Sequence, residues 1–472
     1  MNTKTVLQFA IGPVGGALLG LITLPVITWF FSQEDIGRLA MLQVTISFSI
    51  LLFSLGLDQA YVREFHEVAD KPKLLKAAVL PGFSILVALA LIILLYFGSG
   101  LSSWLFGVPK LALSNLIVIS VLASFKSRFL SLVLRMNSRG LAFSMSQVLP
   151  KVFLLAVIGL YIAFGVDKNL LNLVIANTLA TLAVCLIFSW NTRAEITAAI
   201  RSDFDREQFH ELLKFGAPLI LGGLAFWGLT AVDKVFLRAL SSFEELGLYS
   251  VSVSFAAAAI ILQSIFSTVW APTVYKWASA GEGLDKVHKV TRFMLAAVVL
   301  LFILVGLFSW LVTHILPKEY EAVRWIVVAC FGYPLLYTLS ETTVVGIGIS
   351  RRSSFAMLAA VIAFSVNFLG NWLLIPTYGA AGAAVSTCIA FLIFFVLRTE
   401  FAIRLWKPIP RLQLYAFTFV CVLGASFHAL HGTNDNFIYF SIYWLAMFLL
   451  WGKAFWNEIR LAFGFTARKL FK

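Results

Sequence analysis

Charged residues are scarce in this chain. Only 12% of its 472 residues are Asp, Glu, Lys or Arg, whereas 60% are hydrophobic, and the mean hydropathy is +0.93. A soluble globular domain of this length does not normally have that composition, because it would leave too little polar surface to face water. The sequence therefore predicts an integral membrane protein.

Residues that bind metals or act as nucleophiles are also few and scattered. The four cysteines lie inside apolar runs without metal-ligand spacing, and the six histidines form no cluster along the chain. Neither a phosphate-binding loop nor a G-x-S-x-G elbow occurs in the sequence. We therefore expect no catalytic residues, no metal site and no protein-bound cofactor, and an ATP-driven pump is disfavoured.

Long apolar runs, by contrast, fill most of the sequence. They are about 20 residues long, follow one another through short connections, and fit about fourteen membrane-spanning helices. Because the runs are continuous rather than alternating, a β-barrel is excluded. The predicted spans are 5–31, 36–57, 74–97, 112–134, 141–164, 169–190, 212–238, 247–275, 290–314, 323–348, 354–375, 381–399, 411–430 and 436–453.

The formal net charge of +13 would suggest a nucleic-acid partner if the protein were soluble. Most of the 36 Lys and Arg residues, however, fall in loops and tails on one side of the predicted spans. This asymmetry follows the positive-inside rule when the N-terminus is cytoplasmic. It accounts for the charge without nucleic acid and predicts that both termini are cytoplasmic.

A short motif occurs twice, about 210 residues apart, and suggests a duplicated architecture. The two copies are Ser32, Glu34, Asp35 and Gly37, and Ser242, Glu244, Glu245 and Gly247. Repeated halves in a transporter usually surround a central site that opens to each side in turn. We predict a six-helix lobe, a cytoplasmic linker, a second six-helix lobe, and a helix pair with a basic tail, at residues 1–190, 191–211, 212–404 and 405–472.

Ionisable side chains within or at the ends of the spans are the candidate site residues. A charge in the hydrocarbon costs at least a few kcal/mol unless it faces a cavity or a partner. Arg128 lies on a polar stripe with Ser120, Ser124 and Ser131 at helical spacing. The candidates for binding an anionic substrate are Arg128, Lys234, Arg63 and Lys126, and those for ion coupling or gating are Asp58, Asp233 and Glu341. An alternative interpretation is that Asp233 with Lys234, and Glu341 with Lys126, are structural ion pairs.

Several stretches resemble the polysaccharide-transporter branch of the multidrug/oligosaccharidyl-lipid/polysaccharide exporter superfamily. They include LGLDQAYVREF at the end of the second span, FGAPLIL at the start of the second half, and NFLGNWLLIPTYGAAGAAVSTC near residue 370. The resemblance covers nearly the whole chain. It implies two lobes arranged as a V, with the last two helices bordering a groove for a lipid tail.

The resemblance also implies a function. The expected substrate is an oligosaccharide joined by pyrophosphate to a polyprenyl lipid, such as an O-antigen repeat unit, which is moved from the inner to the outer leaflet of a bacterial plasma membrane. A coupling cation, H⁺ or Na⁺, is expected to drive the cycle, and a polymerase and a chain-length regulator are expected partners. The positions that occupy places comparable to the charged cavity residues of that family are Asp58, Arg63, Arg128, Asp233 and Lys234.

Three other functions are weighed against this one. A peptidoglycan lipid-precursor flippase needs the same anion-binding cavity, whereas a cation-coupled multidrug exporter would need acids without basic partners. The balance of Lys126, Arg128 and Lys234 against Asp58, Asp233 and Glu341 modestly favours an anion. A membrane-embedded polymerase or glycosyltransferase would be expected to have a large outer loop, which is not predicted.

Overall fold

A computed structural model of the protein describes residues 3–280 and 284–461, and the side chains of residues 3–10 are outside that description. In these ranges helices are the only regular secondary structure. They are α1 (Thr3–Thr28), α2 (Gln33–Phe53), α3 (Leu57–Glu64), α4 (Lys71–Phe97), α5 (Gly100–Phe106), α6 (Leu111–Met136), α7 (Gly140–Ala163), α8 (Leu170–Asn191), α9 (Arg193–Arg201), α10 (Arg206–Leu240), α11 (Phe243–Ser279), α12 (Leu284–Phe308), α13 (Val323–Cys330), α14 (Gly332–Thr343), α15 (Val345–Ile349), α16 (Ser353–Leu405), α17 (Leu412–Leu430) and α18 (Phe437–Ala454), with 3₁₀ turns at Ser309–His314 and Lys318–Tyr320.

The predicted all-α membrane fold is confirmed. Thirteen helical segments in the described ranges are long and apolar enough to cross a membrane. One of them, α16, has 53 residues, and its helical geometry is interrupted at Gly379, where φ is 51° and ψ is −126°. Each side of this break is long enough to span a bilayer at 1.5 Å per residue, so α16 contains two spans and the predicted total of about fourteen holds.

The repeated motif begins one helix in each half of the chain. Ser32 caps α2 by accepting a hydrogen bond from the backbone N–H of Asp35 at 3.1 Å, and Ser242 caps α11 by accepting one from Glu245 at 3.2 Å. Each contact is the N-cap half of a capping box, in which a hydroxyl accepts a hydrogen bond from a free N–H group of the first turn. The duplication is therefore a duplicated helix start.

Glu245 has a second role in the fold. Its Oε2 accepts a hydrogen bond from the backbone N–H of Ala380 at 2.7 Å, just after the break at Gly379. The carboxylate thus lies at the N-terminus of the second half of α16, where the free N–H groups and the helix dipole favour a negative charge. A side chain at Gly379 would collide with this carboxylate.

The chain divides into two compact units, Met1–Arg238 and Ala239–Lys472. In the first unit α1 packs along α7, and α6 contacts α2, α4, α7 and α8. The seventh span, α10, belongs almost entirely to this unit, whereas the repeat assigns it to the second lobe. The lobe boundaries at residues 190 and 212 therefore stay a prediction of the repeat.

Glycines bring helices of the first unit close together. Gly12, Gly16 and Gly20 form a stripe on α1 that meets Ser144, Gln147 and Lys151 of α7. A Cβ at Gly16 would lie 3.0 Å from the Cβ of Gln147. Stripes of small residues let membrane helices approach closely, so this stripe explains why α1 and α7 are paired.

In the second unit, α11 and the second half of α16 pack on α14, while α17 and α18 pack on α12 and α13. The buried Trp444 of α18 lies against Gly306 of α12 and donates a hydrogen bond to His428 of α17 at 3.1 Å. The predicted final helix pair is therefore packed on the second unit. Of the predicted basic tail, residues 462–472 lie outside the described residues.

Candidate functional site

Asp58 and Arg128 form an ion pair in the first unit. A guanidinium nitrogen, Nη2 of Arg128, donates to Oδ2 of Asp58 at 2.8 Å. Asp58 is 8% exposed, whereas the Arg128 side chain is 38% exposed. Because a guanidinium has five N–H donors and the structure shows only this polar contact within the described ranges, the pair leaves donors of Arg128 available.

The position of Asp58 depends on a break that the sequence did not reveal. The predicted second span was continuous through residue 57, but α2 ends at Phe53 and α3 begins at Leu57. Between them Leu55 and Gly56 have φ values of 53° and 70°. Asp58 therefore lies in the first turn of a separate short helix, where the dipole favours a carboxylate.

Gly56 lies directly against α10. A Cβ on Gly56 would collide with the backbone carbonyl of Gly216, and a Cβ on Gly216 would lie 2.7 Å from the carbonyl carbon of Gly56. About two turns further along the chain, in α3, the Arg63 guanidinium lies 4.2 Å from the centre of the Phe215 ring and 3.5 Å from Glu64. α3 is thus held against α10 by close backbone contact and by a cation–π contact. Tyr61 is buried in the same turn, and burial raises the pKa of its hydroxyl.

Lys126 lies two residues from Arg128 on α6 and is half-buried. Within the described part of the chain its ammonium has neither an ion pair nor a hydrogen bond. On α10, Asp233 is 1% exposed and accepts a hydrogen bond from the backbone N–H of Lys234 at 2.8 Å, while the Lys234 side chain is half-buried. The first unit therefore holds Asp58 with Arg128 in a direct contact, and Asp233 with Lys234 as neighbours in one helix.

Glu341 lies in the second unit, where its partner is Arg398. Nη2 of Arg398 donates to Oε1 of Glu341 at 2.9 Å, and Nη1 donates to Ser340 at 2.6 Å. Arg398 is 8% exposed, and its guanidinium lies over the rings of Tyr337 and Phe394. The suggested pairing of Glu341 with Lys126 is therefore corrected: the carboxylate is held by an arginine of its own unit.

Two basic residues inside the spans were missed from the sequence. Arg398 is one, and Lys151 is the other. Lys151 lies near the middle of α7, is half-buried, and donates a hydrogen bond to the backbone carbonyl of Gly16 on α1. No carboxylate pairs with it among the described residues. The signal was present in the sequence, because Ser144, Gln147 and Lys151 are spaced as one polar stripe on a helix.

Exposed polar groups accompany these charges on neighbouring helices of the first unit. Gln147 is exposed on the same face of α7 as Lys151, and Gln43 is exposed on α2, where it donates to Asn177 of α8 at 3.0 Å. Trp227 of α10 donates to Ser47 of α2 at 3.0 Å. Polar side chains within a span normally face the bundle interior or a water-filled space rather than lipid. Charged and polar side chains therefore lie within several spans of the first unit.

Comparisons with known proteins are consistent with this architecture. A model of the family described as "Polysaccharide biosynthesis protein" matches residues 3–277, more than half of the chain. "Lsg locus putative protein 1" of Haemophilus influenzae is 23% identical over 348 residues, which cover 71% of this chain and 80% of that protein. "Uncharacterized membrane protein MJ1068" of Methanocaldococcus jannaschii is 28% identical over 204 residues, 41% of this chain and 38% of that protein.

Two solved structures share the fold. The lipid II flippase MurJ in an inward closed conformation has a TM-score of 0.68 at 15% identity, covering 96% of this chain and 99% of that chain. An inward-facing multidrug resistance MATE family transporter of the MOP superfamily has a TM-score of 0.56 at 12% identity, covering 85% and 96%. The chain thus has the fold of these transporters, and it belongs to the polysaccharide biosynthesis protein family.

Proposed function

We propose that this membrane transporter is a flippase for an oligosaccharide linked through pyrophosphate to a polyprenyl lipid, such as an O-antigen repeat unit. The membrane would be the inner membrane of a bacterium, with both termini in the cytoplasm and with movement from the inner to the outer leaflet. The observation that carries the proposal is the excess of cations within the membrane-spanning helices of the first unit.

Three cationic side chains of the first unit contribute to this excess. Lys126 and Lys151 have no carboxylate partner among the described residues, and Arg128 uses one contact for Asp58. A pyrophosphate cannot cross hydrocarbon with its charge uncompensated, because an isolated charge there is strongly unfavourable. Charge-assisted hydrogen bonds from ammonium and guanidinium groups would replace its hydration. A drug-like cation would gain nothing from these groups.

The Asp58–Arg128 pair suggests how substrate binding couples to the transport cycle. A pyrophosphate that reaches the exposed donors of Arg128 competes with Asp58 for the guanidinium. Once displaced, the Asp58 carboxylate is a largely buried charge without its partner, and a coupling cation bound beside it would compensate that charge. Asp58 is therefore the first candidate for the coupling residue, with Asp233 and Glu341 as the others. H⁺ or Na⁺ is the coupling ion we propose.

The test is deletion of the gene in its host, followed by analysis of the lipid-linked oligosaccharides. Accumulation of a polyprenyl-pyrophosphate-linked oligosaccharide on the cytoplasmic side, reversed by the wild-type gene, would support the proposal. Accumulation of a peptidoglycan precursor would assign the related flippase function instead. Retention of cationic dyes with normal surface polysaccharide would favour a multidrug exporter and sink the proposal.

The sugar-processing partners belong to the same proposal. A flipped repeat unit must be consumed at the outer leaflet, so a polysaccharide polymerase and a chain-length regulator are the expected partners. Crosslinking in membranes that contain a tagged copy of the chain would test for them.

A further inference from the structure

A basic cavity lies between the beginning of α12 and the beginning of α17, entirely within the second unit. Its volume is about 410 Å³. Lys289, Arg292 and Arg411 line it together with His288, and no Asp or Glu is among the described residues of its lining. The space is therefore suited to an anion with several oxygen atoms.

One buried hydroxyl in the lining has no partner. Thr291 is 3% exposed, and its Oγ1 makes no hydrogen bond within the described part of the chain. Thr418 of α17 behaves in the usual way for a helix, because its hydroxyl donates to the carbonyl of Leu414 at 2.7 Å. A buried polar group without a partner is unfavourable. An oxygen atom bound in the basic cavity would supply the acceptor that Thr291 lacks.

Two of the cations are held in fixed positions by carboxylates outside the cavity lining. Nε of Arg292 lies 2.6 Å from Oε1 of Glu458, and Nε of Arg411 lies 3.1 Å from Oε1 of Glu400. Both contacts use the Nε edge of the guanidinium, so terminal nitrogens remain for a ligand. Lys289 is exposed and has no ion pair among the described residues. The cavity thus combines oriented guanidinium groups with one free ammonium.

An apolar groove adjoins the basic cavity. Its volume is about 530 Å³, and it is lined by Phe417 and Val420 of α17 and by Met447, Leu450, Lys453 and Ala454 of α18. The Arg292 guanidinium donates to the carbonyl of Ala454 at 3.4 Å, so one arginine touches both spaces. The family resemblance leads us to expect a lipid tail beside this helix pair. A phosphate site at the end of the groove is a separate feature.

We propose that the basic cavity binds the phosphate group of an anionic membrane lipid, whose hydrocarbon chain enters the adjoining groove. Thr291 and Lys289 are the residues that recognise the phosphate, while Arg292 and Arg411 orient it. Basic pockets between membrane helices commonly bind phosphate head groups of lipids. The phosphate cavity lies in another unit from Arg128 and Lys151, the residues proposed to bind the pyrophosphate of the transport substrate.

Binding can be measured on the purified full-length protein in phosphatidylcholine nanodiscs, by thermal stabilisation and by native mass spectrometry. The probes are phosphatidylglycerol, polyprenyl phosphate and inorganic phosphate. We expect phosphatidylglycerol to stabilise the wild-type protein and to remain bound. Thr291→Val and Lys289→Gln should each weaken its binding about tenfold, as expected for the loss of one good polar contact.

Two matched controls test whether these losses are specific. Lys286→Gln removes the same charge one turn earlier on α12, from a side chain that lies over Trp277 rather than in the cavity lining. Thr418→Val removes a threonine hydroxyl that is already satisfied within its helix. Both should bind phosphatidylglycerol as the wild type does.

Each outcome of these binding measurements supports or overturns one part of the proposal. Tighter binding of polyprenyl phosphate than of phosphatidylglycerol, with the same sensitivity to Thr291→Val, would support the phosphate site and name its lipid. Stabilisation by inorganic phosphate alone would overturn the lipid assignment. Equal losses in Lys286→Gln and Lys289→Gln, or no loss in Thr291→Val, would overturn the site. None of these results depends on transport, so the proposed function can fail or stand separately.

Discussion

The guanidinium of Arg128 lies 2.8 Å from the carboxylate of Asp58, and the two side chains differ in exposure. The carboxylate is almost completely covered, whereas more than a third of the arginine side chain is open. A purely structural ion pair would be expected to bury both partners. The unequal burial suits a cation that exchanges its internal partner for a ligand.

Charge reversal at Arg128 tests this role. We expect Arg128→Glu to abolish export of the lipid-linked oligosaccharide, because it places a second negative charge beside Asp58 and removes the main contact for pyrophosphate. The protein should still insert into the membrane. Loss of the partner of a largely buried carboxylate should cost about 1–3 kcal/mol, less than for a fully buried pair because Arg128 is partly open. Surface polysaccharide and membrane-inserted protein would both be measured.

The swapped variant, Asp58→Arg with Arg128→Asp, separates the two interpretations of this pair. It restores an ion pair but moves the cation onto α3. A structural pair would be rescued by the swap, whereas an anion-binding arginine would not be. Recovery of export in the swapped variant would therefore remove Arg128 from substrate binding.

Lys151 gives a second prediction. We expect Lys151→Met to reduce export at least tenfold while leaving the amount of protein in the membrane unchanged or higher, because an apolar side chain is favoured in a span. Lys151→Arg should retain part of the activity, since it keeps the charge but must fit beside Gly16 and Gly20. Lys168→Met is the matched control, because it removes the same charge from an exposed lysine outside the spans. Normal export by Lys151→Met would exclude this lysine from the anion pathway.

The spans were largely predictable from the sequence because apolar length is a local property. Each of the thirteen candidate spans in the described residues overlaps a predicted span, and the break at Gly379 fell between two predicted spans. The break between α2 and α3 was not predictable in the same way. Leu55 adopts a positive φ that its residue type does not suggest, and the reason lies in the backbone contact with α10, far away in sequence.

The partner of each charged side chain could also not be predicted from the sequence. Helical spacing placed Arg128 on a polar stripe, but it could not show that Asp58 reaches it from a different helix. Glu341 was correctly noticed as a charge inside a span, yet its partner Arg398 lies 57 residues away. Partner choice depends on how helices pack against one another, and the residue spacing within a single helix does not show this.

Gly56 offers a test of the break that positions Asp58. We expect Gly56→Ala to lower the free energy of unfolding by several kcal/mol, because it combines a positive φ with a collision against the carbonyl of Gly216. Gly165→Ala also meets a positive φ but has nothing within 4 Å of its new Cβ, so it should cost only about 1 kcal/mol. Thermal unfolding in detergent would measure both. Equal effects in the two variants would show that contact with Gly216 contributes nothing.

Glu245 links the start of α11 to the second half of α16, and its acceptor atom can be tested separately from its charge. Glu245→Ala leaves the backbone N–H of Ala380 without a partner beside the break at Gly379, which should cost about 1–3 kcal/mol. Glu245→Gln keeps an oxygen acceptor in place and should lose less than half of that, because only the charge–dipole contribution disappears. Ser242→Ala removes the N-cap of α11, at a cost of about 1 kcal/mol. Since Ser242 accepts a hydrogen bond from the backbone N–H of Glu245, the two residues are in contact, and the double variant would measure their coupling in thermal unfolding. A Glu245→Gln variant as unstable as Glu245→Ala would show that charge, rather than the hydrogen bond to Ala380, holds the two helices together.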